Sequence, residues 1–160
     1  MTEHGILFNN HLSNLPNFPL PEKDEFSRAR PLSLYTPVIL TDHKQVCGER
    51  VVLSSPEVGA AAQIITQLTV RQKNLIDAIA QPRLTVKPGV DDVYREDFGG
   101  GAKMPADATN ALKAMNHSFE VLHQPYASVN GISKIKDKLV SMSDIRGGGV
   151  AHRLESSPKT

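Results

Sequence analysis

Cysteine occurs once in the 160 residues, at Cys47, so the chain has no internal disulfide, and a lone thiol does not fix the redox compartment. Charge of one sign is not in excess either. The 18 Lys and Arg against 17 Asp and Glu give a formal net charge of +1, with a pI of about 7.9. That balance excludes the basic surface that nucleic-acid binding requires. No apolar run approaches the roughly 18 residues of a membrane-spanning helix. The N-terminus lacks the basic and apolar regions of a signal peptide, so secretion or anchoring would come from sequence outside this chain or from a partner. Metal-ligand motifs are missing too. His117 and His123 have a spacing that fits one strand face, yet no HxxH, HExxH or cysteine partner accompanies them, so no metal site is expected. Gly99, Gly100 and Gly101 read as a flexible connection, because no phosphate-loop pattern surrounds them.

The composition that remains, 39% hydrophobic and 22% charged, suits one globular domain, placed over residues 1–154 with a frayed tail over 155–160. The stretch from Arg30 to Val70 organises it. Pro37 starts a β-branched run, Val38 and Ile39, that ends at Thr41, Asp42 and His43. Val46, Val51, Val52 and Leu53 make a second run, with Gly48 a candidate bulge. A serine-proline corner follows and carries helix-start chemistry. Ser55 is placed to cap, Pro56 suits the first turn because the N–H it lacks would be unpaired there, and Ser54 with Glu57 has capping-box spacing. Ala61, Ile64, Ile65, Leu68, Leu75, Ile76 and Ile79 then recur at three- and four-residue steps. This periodicity predicts a helix that covers the two strands and breaks near Lys73 and Asn74. A strand that turns tightly into a helix N-terminus presents unpaired backbone N–H groups. The corner is therefore either an ordinary connection or an anion or oxyanion site.

Elsewhere the pattern is coarser. Residues 15–29 hold Pro16, Pro19 and Pro21 in polar surroundings and read as a surface loop. Arg83 to Val86 and Val90 to Tyr94 read as short strands around a Pro88-Gly89 turn, and Pro105 to Met115 as a helix. Phe119, Val121 and His123 alternate, as do Val129 and Ile132 after a shift, giving two more strands. Lys134, Lys136 and Lys138 are assigned to the solvated face of one strand.

Several short motifs, taken in order, carry a resemblance. Arg30-Pro31-Leu32-Ser33, Thr36-Pro37-Val38-Ile39, Ser55-Pro56, Ile64-Ile65-Thr66 and Ala78 through Pro82-Arg83 resemble the small subunit of the γ-glutamyltransferases, the threonine-dependent enzymes that cleave glutathione. Residues 5–10 resemble that family's GILLNN strand. Ser143-Asp144-Ile145-Arg146, followed by Gly147 to Gly149, resembles its closing SDPR segment, with Ile145 in place of proline. The resemblance implies an α/β fold, part of an N-terminal-nucleophile-hydrolase-like αββα sandwich that lacks its N-terminal strands and its large subunit. It implies no cofactor. The implied partners are a γ-glutamyltransferase large subunit or a paralogue, with γ-glutamyl compounds such as glutathione as ligands. The compartment it suggests is the outer face of the plasma membrane, the extracellular space or the periplasm.

The same resemblance implies a weakened site. Where the family holds the α-amino and α-carboxylate ends of the glutamyl group with a polar set that includes a glutamine and an aspartate, this chain has His11 and Asn14 in their places. An asparagine offers a buried ammonium only a dipole. Of two serines that bond the substrate carboxylate, Ser33 is retained and Leu34 replaces the other, removing a donor worth roughly 1.5–3 kcal/mol. The family's Gly-Gly after Ser-Pro becomes Glu57-Val58, and seven residues separate Pro56 from Ile64, about three more than the family pattern. A carboxylate there repels the oxyanion that such a corner stabilises. If the extra residues precede them, Gly59 and Ala60 take the Gly-Gly places instead. The family's nucleophilic threonine, with its own α-amine as base, lies upstream of the GILLNN strand. Thr2 sits beside a different element, so no catalytic residue is assigned and the chain alone is expected to be inactive. A degenerate paralogue serving as a binding or regulatory subunit is the alternative reading.

Overall fold

Period-two alternation builds the main sheet of the computed structural model, which describes residues 33, 35–44, 48–86, 92–96 and 103–152. Residues 1–34 and 35–160 form two compact units, and all of the secondary structure below belongs to the second. Strand β1 (Thr36–Thr41) pairs antiparallel with β2 (Arg50–Ser55), Thr36 opposite Ser55 and Ile39 opposite Val52. Along β2, Val51, Leu53 and Ser55 are buried while Arg50, Val52 and Ser54 are exposed. Two later strands complete the sheet, β6 (Asn130–Ile135) on the other side of β2 and β7 (Lys138–Met142) beyond it, in the order β1-β2-β6-β7. Every pairing in it is antiparallel.

Two helices cover one face of this sheet. Helix α1 (Val58–Thr69) contacts β1 and β2, and α2 (Leu75–Ala80) contacts β6 and β7. The break between them falls where the periodicity places it. Helix α1 ends at Thr69 with Val70 as its C-cap, Gln72 takes a left-handed φ of 53°, and Asn74 caps α2 by accepting a 2.9 Å hydrogen bond from the Asp77 N–H. Val51, Leu53, Ala60, Ile64, Leu75, Ala78, Ile79 and Val129 form the core between helices and sheet. Burying a leucine or isoleucine in such a layer stabilises by about 1.5–3 kcal/mol. The opposite face stays open. Ile39, Val52 and Ile132 lie in register across β1, β2 and β6 and are 71%, 48% and 50% exposed.

Gly131, in β6, stands in close contact with α2. A Cβ there would stand 2.8 Å from Leu53 Cδ2, 3.0 Å from Leu75 Cδ1 and 3.3 Å from Ile79 Cδ1. All three neighbours are fully buried, so they have little room to retreat. Gly131→Ala is therefore expected to destabilise by about 1–3 kcal/mol, read as a lower urea midpoint at unchanged slope.

Between β2 and β6 the chain builds a second, three-stranded sheet. β3 (Leu84–Val86) pairs antiparallel with β4 (Val93–Glu96), and β4 pairs in parallel with β5 (Phe119–Leu122). A parallel neighbour requires a crossover, and α3 (Ala106–Ala114) supplies it. This matches the helix read over Pro105 to Met115, with Pro105 and Met115 as its caps. Gln63 ties this sheet to α1. Its amide donates to the Leu84 carbonyl at 2.7 Å and accepts from the Leu84 N–H at 2.9 Å, as a neighbouring strand would. Val46, Val90, the Pro88-Gly89 turn and Gly99 to Gly101 lie outside the described residues.

The lysine assignment is corrected. Lys134 ends its run in β6, Lys136 with Asp137 forms the hairpin turn, and Lys138 opens β7 opposite Ile135. Lys136 adopts a left-handed φ of 53°, a conformation that glycine or asparagine usually marks, so the hairpin carries no turn signature in the sequence.

Candidate functional site

β2 leaves the sheet at Ser55, and the corner is closed by that side chain. Ser55 is fully buried and paired with Thr36 as the last strand residue. Its Oγ donates to the Glu57 carbonyl at 2.7 Å and accepts from the Glu57 N–H at 3.1 Å, which wraps the chain around Pro56. The expected cap is thereby corrected. Glu57, in extended geometry, is the N-cap of α1 and makes no side-chain cap bond, and Val58 is the first helical residue. Ser55 cannot cap because it is still held in the ladder two residues before the helix.

The first bond within α1 runs from the Ala61 N–H to the Glu57 carbonyl at 3.2 Å. The N–H groups of Val58, Gly59 and Ala60 therefore precede the intrahelical ladder, at the positive end of the helix dipole. A helix start of this kind offers unpaired donors to an anion, and Glu57 is the residue at its cap. Val58 is exposed, and a Cβ added at Gly59 would meet nothing within 4 Å. Among the described residues, no close approach requires a glycine there.

A buried charge cluster fixes the sheet end from which the corner projects. Ser54 pairs with Asn130, whose Oδ1 accepts from Ser143 Oγ at 3.1 Å and from the Asp144 N–H at 3.2 Å. Asp144, fully buried, accepts from the Val129 N–H at 2.9 Å, from Arg83 Nη2, and from Arg146 N and Nη1, each at 3.1 Å. Arg146 also donates from Nε to Glu96 Oε2 at 2.7 Å, and to the carbonyls of Ile79 at 3.3 Å and Gln81 at 2.9 Å. Two guanidiniums and two carboxylates thus join α2, β4, β6 and the segment after β7. Burial pushes the Asp144 carboxyl up. The Val129 N–H, the charge and hydrogen bond of Arg83, and the Arg146 N–H outweigh that and hold it below its ordinary value.

On the open face next to this end lies a cavity of about 480 Å³, with Val52, Ser54, Asn130, Ile132, Ser143 and His152 among its lining residues. It presents hydroxyl, amide and imidazole groups beside the apolar row. Among the described residues no group of three metal-ligating side chains exists, and no helix is long and apolar enough to cross a membrane.

A family profile described as gamma-glutamyltranspeptidase matches residues 1–154. The chain belongs to the γ-glutamyltranspeptidase family. Its solved relatives agree with that. The γ-glutamyltranspeptidase from Pseudomonas nitroreducens complexed with L-DON superimposes with a TM-score of 0.76 at 21% identity, covering 97% of this chain and 85% of that one. A mutant of the Helicobacter pylori γ-glutamyltranspeptidase gives 0.67 at 26% identity over 90% and 83%. The Bacillus anthracis transpeptidase CapD gives 0.64 at 16% identity over 96% of both chains. No curated protein matches this sequence. The α/β fold is that of the N-terminal-nucleophile-like γ-glutamyltranspeptidases.

Set against this γ-glutamyltranspeptidase scaffold, the residues assigned from sequence divide into three groups. Glu57, Val58 and Gly59 come together at the N-terminus of α1. Ser33 is exposed and belongs to the other compact unit. His11 and Asn14, like Thr2, lie outside the described residues. The charge cluster carries no assignment from sequence, although two of the family landmarks, Pro82-Arg83 and Ser143 to Arg146, end in its arginines. That recurrence is the available signal. Glu96 offers none.

Proposed function

We propose that this chain is the later part of a γ-glutamyltranspeptidase small subunit, one domain over residues 1–154, which carries a degenerate glutamyl site and does not catalyse alone. The observation that supports this most directly is the corner. Its backbone donors stand ready at Val58, Gly59 and Ala60, but a carboxylate, Glu57, occupies the N-cap where developing negative charge would be stabilised. Asn14, His11 and Ser33 are the residues assigned to hold a glutamyl group. Asn14 and Leu34 weaken its ammonium and carboxylate ends in the same direction. A large subunit or a catalytically intact paralogue is the partner. The apolar row of Ile39, Val52 and Ile132 supports a layer packing on the open face, since an exposed sheet face of that kind is an aggregation hazard when left bare.

Hydrolysis of a chromogenic γ-glutamyl anilide by the purified chain, alone and mixed with a family large subunit, tests this reading. No release above buffer is expected in either case, with a complex forming in the mixture. Turnover by the chain would overturn the proposal and make Thr2 the first residue to substitute. The second reading, a paralogue retained for binding, predicts the same silence together with altered turnover of an intact family member to which the chain is added.

A further inference from the structure

The four strands of the main sheet contain no aspartate or glutamate. Two of their cations stand together on the open face. Residues paired across strands point to the same side, so the row next to Ile39, Val52 and Ile132, two residues further from the corner, is Thr41, Arg50, Lys134 and Leu139. Arg50 and Lys134 are directly opposite each other, and both are exposed. Like charges in that position destabilise a sheet. Among the described residues neither makes an ion pair. On the other side of the apolar row lie Pro37, Ser54 and Asn130, which carry no charge. Along its strands the open face therefore runs from uncharged, through apolar, to cationic.

We propose that Arg50 and Lys134 select the partner of the open face, and that the layer it receives presents carboxylates beside an apolar stripe. The proposal rests on the reading that another chain covers this face. Packed sheets lie about 10 Å apart with their strands within about 30° of each other, so rows meet rows across the interface. Successive rows are two residues apart, roughly 6.8 Å. A facing strand then carries an apolar residue over the Val52 row and, two positions along, an aspartate or glutamate over the Arg50 row. A second copy of this chain does not supply it, because its own strands hold no carboxylate. An anionic bilayer fits less well, since burying the apolar row would also bury the polar row beside it. The two cations stand toward the end of the sheet, near the rim of such an interface. Charges placed there act on encounter rate and partner choice more than on the lifetime of the complex.

The probe is a family large subunit, and its association with the full chain is followed by surface plasmon resonance. Binding is expected, with an association rate that falls about 10-fold between roughly 0.01 and 0.1 M salt, as the screening length shrinks from about 30 to 10 Å. Lys134→Glu should slow association by about 10-fold or more at low salt. The same change should leave the urea midpoint unchanged or raise it, because it sets an opposite charge across from Arg50. A purely structural role would move both readouts down together. Ile132→Ser should speed dissociation, which ties the complex to the open face. A complex that responds to Ile132→Ser but not to salt or Lys134→Glu would overturn the carboxylate assignment and leave the covered face standing. No complex, or one indifferent to Ile132→Ser, would overturn both. Self-association of the chain through Ile132, or binding to phosphatidylserine vesicles in preference to the subunit, would overturn the proposal equally.

Discussion

Asp144→Asn is expected to lower stability by about 3–5 kcal/mol, a large share of the roughly 5–15 kcal/mol that holds a typical domain together. Asparagine keeps the size of the side chain but removes the charge that two buried guanidiniums face. Arg83 would then be left with Glu96 at 3.8 Å as its counter-charge within the cluster, and Arg146 would keep Glu96 and the Ile79 and Gln81 carbonyls. One oxygen of the carboxylate becomes an NH2 group pointed at donors, so either the Val129 N–H or the Arg146 N–H loses its acceptor. Equilibrium urea unfolding reads the loss. Adding Arg83→Met to Asp144→Asn should recover part of it, because the second change removes one of the charges stranded by the first. Simple additivity of the two losses would show that Arg83 and Asp144 do not act as a pair.

The same contacts set a pH dependence. The Asp144 carboxyl is held below its ordinary value of 3.8 in the folded chain, whereas the unfolded chain takes up the proton at that ordinary value. Its contribution is therefore fully present above the unfolded pKa and is lost as pH falls toward the lower folded pKa. Urea midpoints measured down through about pH 4 should fall, and the part of that fall owed to Asp144 should be missing in Asp144→Asn. A variant whose midpoint tracks the wild type with a constant offset across that range would contradict the assignment.

What the sequence disclosed and what it concealed follow from the range of each interaction. The break between α1 and α2 was legible near Lys73 and Asn74, where two polar residues interrupt the apolar steps, and the cap from Asn74 to the Asp77 N–H is what the structure adds. The strands β1 and β2 were legible as β-branched runs, but their buried face was not, because Ile39 and Val52 on the open face are as apolar as Val51 and Leu53 on the covered one. Ser55 misled because a serine before a proline looks like a cap, and only the pairing with Thr36 shows that the strand is still running. The hairpin at Lys136 was hidden for want of a glycine or asparagine. The charge cluster was out of reach for a different reason. Arg83 and Asp144 are 61 residues apart and Glu96 and Arg146 are 50 apart, so no local pattern joins them. The corner at Glu57 was legible as a place, and its backbone geometry was not.

Introducing Glu-Val directly after the Ser-Pro of an active family member is expected to cut kcat about 100- to 1,000-fold, with a smaller change in KM. In this chain Glu57 is the N-cap, its N–H held by Ser55 Oγ, and the free donors of Val58, Gly59 and Ala60 begin immediately beyond it. A carboxylate at that position makes no bond to those N–H groups in this chain, but it carries the same sign of charge as the oxyanion. Its repulsion acts on the developing charge of the tetrahedral intermediate and little on the neutral ground-state carbonyl, so the loss belongs in kcat. Introducing Gln-Val in place of Glu-Val, with an amide of the same size in place of the carboxylate, separates charge from crowding. Recovery of most of the rate would assign the loss to the Glu57 charge. Full activity in the Glu-Val variant would show that the corner tolerates the carboxylate, and would leave Asn14 and Leu34 to account for any silence of this chain.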